Sequence, residues 1–224
     1  MTPVLAAVDD VVNWEWIGRN LDTIAERTWQ HVYLTLIAVG VGFVVAFALS
    51  LWALSNRRVL RPITTTTAVL YTIPSLAVFA FFVPITGLGI LTAQIGLVAY
   101  TLLVLVRNTV AGLDGVPDEV LDAAAGMGYE DRRLLWRVRL PLAMPVIIAG
   151  IRIATVSTVG LITVTALIGQ GGLGWFILRG LNSVANRSTL IIVGVVLSVV
   201  LAIVFDVAIQ RTGRLFTPWA RRAA

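Results

Sequence analysis

From Pro62 to Val106 the sequence runs for 45 residues without a charged side chain. As one helix this run would be roughly 67 Å long at about 1.5 Å per residue. The hydrocarbon core of a bilayer is only about 30 Å thick, and about 20 apolar residues cross it. The run must therefore turn back, and Pro84, Gly87 and Gly89 supply a breaker cluster near its middle. Two spans are expected, about Thr65 to Val83 and about Leu88 to Val106, antiparallel because so little chain joins them. Inside the first, Pro74 followed by Ser75 should break the helix and free backbone carbonyls.

The rest of the chain repeats the theme. Apolar residues make up 58% and charged residues 13%, against roughly 25% charged in soluble domains, and the mean hydropathy is +0.91. Three more apolar runs, about Val32 to Leu54, Met144 to Leu167 and Thr189 to Gln210, are long enough to cross. The expected fold is all-α, a polytopic membrane protein with five transmembrane helices occupying residues 31–211. Ahead of it, residues 1–30 form a polar lead-in. Asp9, Asp10 and Glu15 interrupt its apolar run too early for a secretory signal, while Trp14, Trp16 and Trp29 suit a membrane interface. Residues 212–224 form a polar tail, and Gly169 to Ser188 reads as a polar, glycine-rich connection.

All seventeen basic residues are arginine. Five spans alternate the intervening segments between two sides. One side collects Arg57, Arg58, Arg61, Arg107, Arg132, Arg133, Arg137, Arg139, Arg211, Arg214, Arg221 and Arg222. The other collects Arg19, Arg27, Arg179 and Arg187. The excess of positive charge marks the cytoplasmic side, so the C-terminus is expected in the cytoplasm and the N-terminus outside. Arg152 lies within the fourth span near the cytoplasmic end, where snorkelling or pairing with a loop carboxylate is expected.

Several chemistries are excluded. Without lysine there is no phosphate-binding GxxxxGK[ST] loop, so the chain does not hydrolyse ATP by that route. Without cysteine there are no disulfides or thiolates. His31 is the single histidine, which rules out a histidine metal cluster, and no site for a metal is expected. The arginines flank apolar spans and form no single patch, so nucleic acid is not an expected partner. Gly169-Gln170-Gly171-Gly172-Leu173-Gly174 matches GxGxxG in letters, but it follows a membrane span where the dinucleotide motif needs a strand. A flexible or re-entrant segment fits better, since irregular backbone is tolerated at membrane depth where it lines a cavity. No acidic pair occupies a span. Asp206 alone is a weak proton-relay candidate, which leaves an ion-gradient-driven carrier as the alternative outside the class argued below.

The one long polar interruption is Asp114 to Pro141, DGVPDEVLDAAAGMGYEDRRLLWRVRLP, with six of the twelve acidic residues. Pro117 followed by Asp118 and Glu119 starts a helix. Val120, Leu121, Ala124 and Met127 give it an apolar stripe, and Gly126 and Gly128 end it. Glu130 and Asp131 open a second helix with Leu134, Leu135 and Val138 on its apolar face, which Pro141 is expected to stop.

Within this loop Asp122-Ala123-Ala124, three residues, Gly128, nine residues and Val138-Arg139-Leu140-Pro141 resembles the cytoplasmic signature of ABC importer permeases, Glu-Ala-Ala, three residues, Gly, nine residues, Ile, any residue, Leu-Pro. Asp122 replaces the glutamate and Val138 the isoleucine. The resemblance implies the type I ABC importer permease fold in a bacterial plasma membrane, and a loop that docks on a cytoplasmic ATPase through Asp118, Glu119, Asp122, Ala123, Ala124, Gly128, Arg132, Leu140 and Pro141. It implies a non-enzyme subunit with no cofactor of its own, ATP and magnesium being held by the ATPase. A second permease copy or a paralogue and an extracytoplasmic binding protein are the other implied partners.

Tyr71-Thr72-Ile73-Pro74-Ser75-Leu76 and Ile168-Gly169-Gln170-Gly171-Gly172-Leu173-Gly174 are similar to the glycine betaine, choline and carnitine permeases of that family. Methionine or another amino acid is the alternative cargo. Polar groups available to a translocation path are Tyr71, Thr72, Pro74, Ser75, Tyr100, Thr155, Ser157 and Gln170. Aromatic faces could hold a quaternary ammonium group, while Ser and Thr often serve helix packing.

Overall fold

The computed structural model describes residues 11–219, which are helical with short connections and contain no strand. Asp9, Asp10, Arg221 and Arg222 lie outside the described residues. In chain order the helices are α1 (Trp14–Arg19), α2 (Leu21–Ser55), a 3₁₀ turn (Arg57–Val59), α3 (Leu60–Thr72), α4 (Ser75–Thr86), α5 (Ile90–Asp114), α6 (Asp118–Gly126) and α7 (Asp131–Leu134). A π-helical segment (Leu135–Arg139), α8 (Leu140–Val164), a 3₁₀ turn (Thr165–Ile168), α9 (Gly174–Leu181) and α10 (Arg187–Phe216) complete the chain.

Among the described residues, four stretches are long and apolar enough to cross a membrane: α2, α5, the continuous run Asp131–Ile168, and α10. A fifth exists if the 3₁₀ turn and α3 are joined with α4 as one broken span. The break falls where Pro74 sits, with extended backbone at ψ 130°, because proline removes a helical N–H and disfavours helical geometry before it. The helices outrun the apolar segments. α2 starts at Leu21, well before Val32, because hydrophobicity defines what crosses the bilayer and not where a helix ends.

Three expectations are corrected. Pro84 lies inside the last turn of α4, and the reversal is made by Gly87 at φ +77°. There the Thr92 hydroxyl bonds the Gly87 carbonyl and lies 2.6 Å from the Thr86 hydroxyl. Pro141 does not stop the helix that begins at Asp131. The turn before it is widened, with the Leu140 N–H reaching back to the Leu135 carbonyl, and that widening removes the clash a proline ring makes with the carbonyl four residues earlier. The connection from Gly169 to Ser188 holds a helix, α9, whose Trp175 and Phe176 pack inward. Its eight residues are too few to register as an apolar segment.

The chain divides into two compact units, and each long span contributes its first part to one and its remainder to the other. The first comprises Met1–Ala38 (described from residue 11), Ile73–Leu97 and Ser157–Val204. Its core has Leu34, Ala38, Phe79, Ala93, Leu97 and Ile162 at one centre, and Leu173, Phe176, Leu190 and Val193 at another. Asn13 ties the start of α1 to this unit, its N–H donating to Thr189 Oγ1 at 2.8 Å and its amide nitrogen to Asn186 Oδ1 at 3.0 Å.

The second unit comprises Val39–Thr72, Val98–Val156 and Phe205–Ala224 (described to residue 219). Here Ala46, Ala53, Ile63, Leu105, Val106 and Ala154 form one buried cluster and Leu113, Ala143 and Ile147 another. Small residues bring the helices close, as expected where lipid gives no hydrophobic drive between them. A Cβ on Gly112 would stand 2.9 Å from the Ala143 carbonyl oxygen, and one on Gly150 would stand 2.4 Å from Asn108 Cβ. The carboxylate that Arg152 meets belongs not to the loop but to the last span. Arg152 makes a two-pronged pair with Asp206, Nε to Oδ1 and Nη2 to Oδ2, both 2.8 Å. The pairing occupies the carboxylate that stood as a proton-relay candidate.

Candidate functional site

The polar loop lies wholly in the second unit. α6 has Asp118 and Glu119 in its first turn, where carboxylates complement the positive end of the helix dipole. At its other end Gly128 stands at φ +85°. The Gly128 N–H bonds the Ala125 carbonyl at 2.9 Å and the Tyr129 N–H bonds the Ala124 carbonyl at 3.2 Å. These two bonds around a left-handed residue are the Schellman cap, and they fix the direction in which the chain leaves toward α7. Along α6 only Ala124 is buried; Asp118, Glu119, Asp122 and Ala123 are exposed, as are Gly128 and Arg132 beyond the helix. Leu140 and Pro141 are half-buried at the head of α8. The Arg133 guanidinium lies 4.9 Å from the centre of the Tyr129 ring, and Trp136 packs on Phe47 of α2 with ring centres 6.3 Å apart.

Sequence reasoning did not find what holds the base of the loop. Asp114, the last residue of α5, accepts two hydrogen bonds from Arg57, Nη1 to Oδ2 at 2.7 Å and Nη2 to Oδ1 at 2.6 Å. The same Oδ1 lies 3.3 Å from Arg139 Nη2, and Arg139 Nε donates to the Leu113 carbonyl at 2.8 Å. The partners are 57 and 25 residues apart in sequence, and no local spacing connects them.

Of the path candidates in the second unit, Tyr71 and Tyr100 come together, with ring centres 5.7 Å apart and planes inclined by 57°. Thr72 and Thr155 turn their hydroxyls onto carbonyls of their own helices, Val69 and Ile151, at 2.7 Å, which is a packing role. In the first unit Pro74 and Ser157 are exposed and Ser75 is half-buried. Gln170 accepts from Gln30 Nε2 at 3.3 Å.

The glycine-rich stretch after α8 is tied by hydrogen bonds within the first unit. Gly169, Gly171 and Gly172 have φ of +83°, +45° and +48°, a region other residues rarely adopt. A Cβ on Gly172 would lie 2.7 Å from His31 Cβ. The Gly171 N–H donates to Thr165 Oγ1 at 2.9 Å. His31 is fully buried; its Nε2 donates to the Val159 carbonyl at 3.0 Å while Nδ1 accepts from the Leu173 N–H at 3.3 Å. The single histidine is a latch across three segments, and this pair of bonds requires the Nε2–H tautomer. His31→Leu strands the Leu173 N–H and should lower stability by about 1–3 kcal/mol, read as a lower melting temperature in detergent.

Beside the latch the Arg27 and Arg179 guanidinium carbons each lie 4.8 Å from the centre of the Trp175 ring.

Comparison with known proteins gives three findings. Residues 38–217 match the family model described as "Binding-protein-dependent transport system inner membrane component". The chain is 37% identical to the carnitine transport permease protein of Listeria monocytogenes over 198 residues, covering 88% of this chain and 90% of that one. It is 36% identical to the glycine betaine/carnitine/choline transport system permease protein of Bacillus subtilis (strain 168), covering 86% and 88%. Among solved structures, an inward-facing form of the MetNI methionine ABC transporter superposes with a TM-score of 0.78 at 20% identity, covering 87% of this chain and 96% of that one.

Proposed function

Since the chain belongs to the family of binding-protein-dependent transport system inner membrane components, we propose that it is the permease subunit of an ATP-driven importer of quaternary-amine osmoprotectants such as carnitine, glycine betaine and choline. The carrying observation is relatives of nearly equal length, similar over almost nine-tenths of the chain, whose names specify those solutes. In this reading the protein spans the bacterial plasma membrane five times, with the broken pair at Pro74 as the second span. The N-terminus is outside and the C-terminus and polar loop are cytoplasmic, an orientation supported by the arginine excess on one side.

The loop docks on a separate ATPase. Asp118, Glu119, Asp122 and Arg132 offer charge on its exposed face, Ala123 lets the partner approach, the buried Ala124 seats the helix, and Gly128 sets the angle into Leu140 and Pro141. Solute is delivered by an extracytoplasmic binding protein, and a second permease copy or a paralogue completes the path. The half-exposed pair Tyr71 and Tyr100 presents aromatic faces suited to a quaternary ammonium cation, a contact worth about 0.5–2 kcal/mol. Ser75, Ser157 and Gln170 are lesser contributors to the path, which Thr72 and Thr155 support through helix packing.

The test is uptake of labelled carnitine, glycine betaine, choline and methionine into ATP-loaded proteoliposomes holding the complete complex. At least one quaternary amine should accumulate, dependent on ATP and on the binding protein. Accumulation of methionine alone would overturn the substrate assignment. Uptake driven by an ion gradient without ATP would overturn the mechanism.

A further inference from the structure

We propose that Asp114 is a positioning residue for energy coupling, its carboxylate fastening both ends of the polar loop to the head of the helix that carries Tyr71. The inference rests on reading the loop as the docking site for the ATPase, and it concerns what the loop pulls on.

Three separate elements meet at this one side chain. Asp114 closes α5 and begins the loop. Arg139 ends the π-helical segment and so ends the loop, and it reaches both the Asp114 carboxylate and the neighbouring Leu113 carbonyl. Arg57 opens the 3₁₀ turn that runs into α3, at whose far end Tyr71 packs on Tyr100. That turn is itself fixed, since the Asn56 side chain accepts from the Arg58 N–H at 3.1 Å.

Beneath the carboxylate the base is closely packed. Leu113 is buried against Ala143 and Ile147, and the backbones meet where Gly112 faces the Ala143 carbonyl. A loop so closed cannot shift at one end alone. Any displacement reaches the Arg57 turn through two parallel hydrogen bonds at 2.6 and 2.7 Å. Exposed ion pairs add little to stability. A two-pronged arginine contact does fix geometry, and geometry is what a transmitting joint needs.

Replacing the joint should therefore leave the parts intact and loosen their linkage. In the complete complex in proteoliposomes, Asp114→Asn should keep its ATPase subunits and hydrolyse ATP, while solute taken up per ATP falls by about fivefold or more, the scale of a typical coupling between sites. Asp114→Glu should recover part of the ratio. Arg57→Gln, at a half-exposed side chain that leaves the Arg139 contact in place, should lower the ratio in the same direction, and it decides the matter if Asp114→Asn does not fold. An unchanged ratio in Arg57→Gln, or loss of the ATPase subunits from a folded Asp114→Asn, would overturn the proposal. Failure of the underlying loop assignment has a different signature, retention of the ATPase by a chain whose loop is disrupted at Gly128.

Discussion

Gly128→Pro should abolish both co-purification of the ATPase subunit and ATP-driven uptake. Gly128 stands at φ +85°, whereas proline is locked near −65°, so the substituted residue cannot occupy the native conformation. Its N–H, which bonds the Ala125 carbonyl, is also lost. The bond from Tyr129 to Ala124 depends on the same turn and goes with it. α6 and the run beginning at Asp131 then lose their fixed angle, and the exposed face from Asp118 to Arg132 no longer exists as one surface. Gly128→Ala is the graded control. It keeps the N–H and incurs only left-handed strain of roughly 1–2 kcal/mol, so uptake should persist at a reduced rate. Wild-type uptake by the proline variant would sink the docking role of the loop.

The second large effect is expected at the pair between Arg152 and Asp206. Arg152→Leu leaves an aspartate without its cation inside an apolar span, and Asp206→Leu leaves an arginine in the same position. Either should reduce the yield of folded protein and lower its melting temperature in detergent. The double variant Arg152→Leu/Asp206→Leu should recover much of the loss, because replacing both partners of an ion pair by apolar groups is often neutral, whereas removing one is not. A double variant worse than either single change would mean the charges do something besides pair. Uptake measured on it would then reveal a role in the transport cycle.

What could be read from the sequence is whatever depends on neighbours in the chain. The break at Pro74, the helix start at Pro117 to Glu119 and the turn at Gly128 follow from residue types at short spacing, and the structure has each. The apolar runs locate the spans for the same reason. The contacts that assemble the second unit are legible nowhere in the sequence: Arg152 finds Asp206 across 54 residues and Arg57 finds Asp114 across 57. His31 could be counted as the single histidine but not placed, since its meaning lies in Val159 and Leu173, over a hundred residues away. Pro141 misled because proline normally terminates a helix, and the widened turn that accommodates it has no signature of its own.

That widened turn bears on how the chain tolerates changes in length. A π segment is an α-helix with a surplus residue accommodated as a bulge. Removing one residue from a regular helix rotates everything after it by about 100° and would misalign every contact α8 makes, from Ala143 to Ile162. Removal of one residue between Leu135 and Val138 closes the bulge to ordinary α-helix and keeps the register of the following span, leaving as its cost the contact of the Pro141 ring with the carbonyl four residues earlier. Single-residue deletions scanned through Asp131–Ile168 should therefore be tolerated best from Leu135 to Val138, at a place where the chain already stores its own slack.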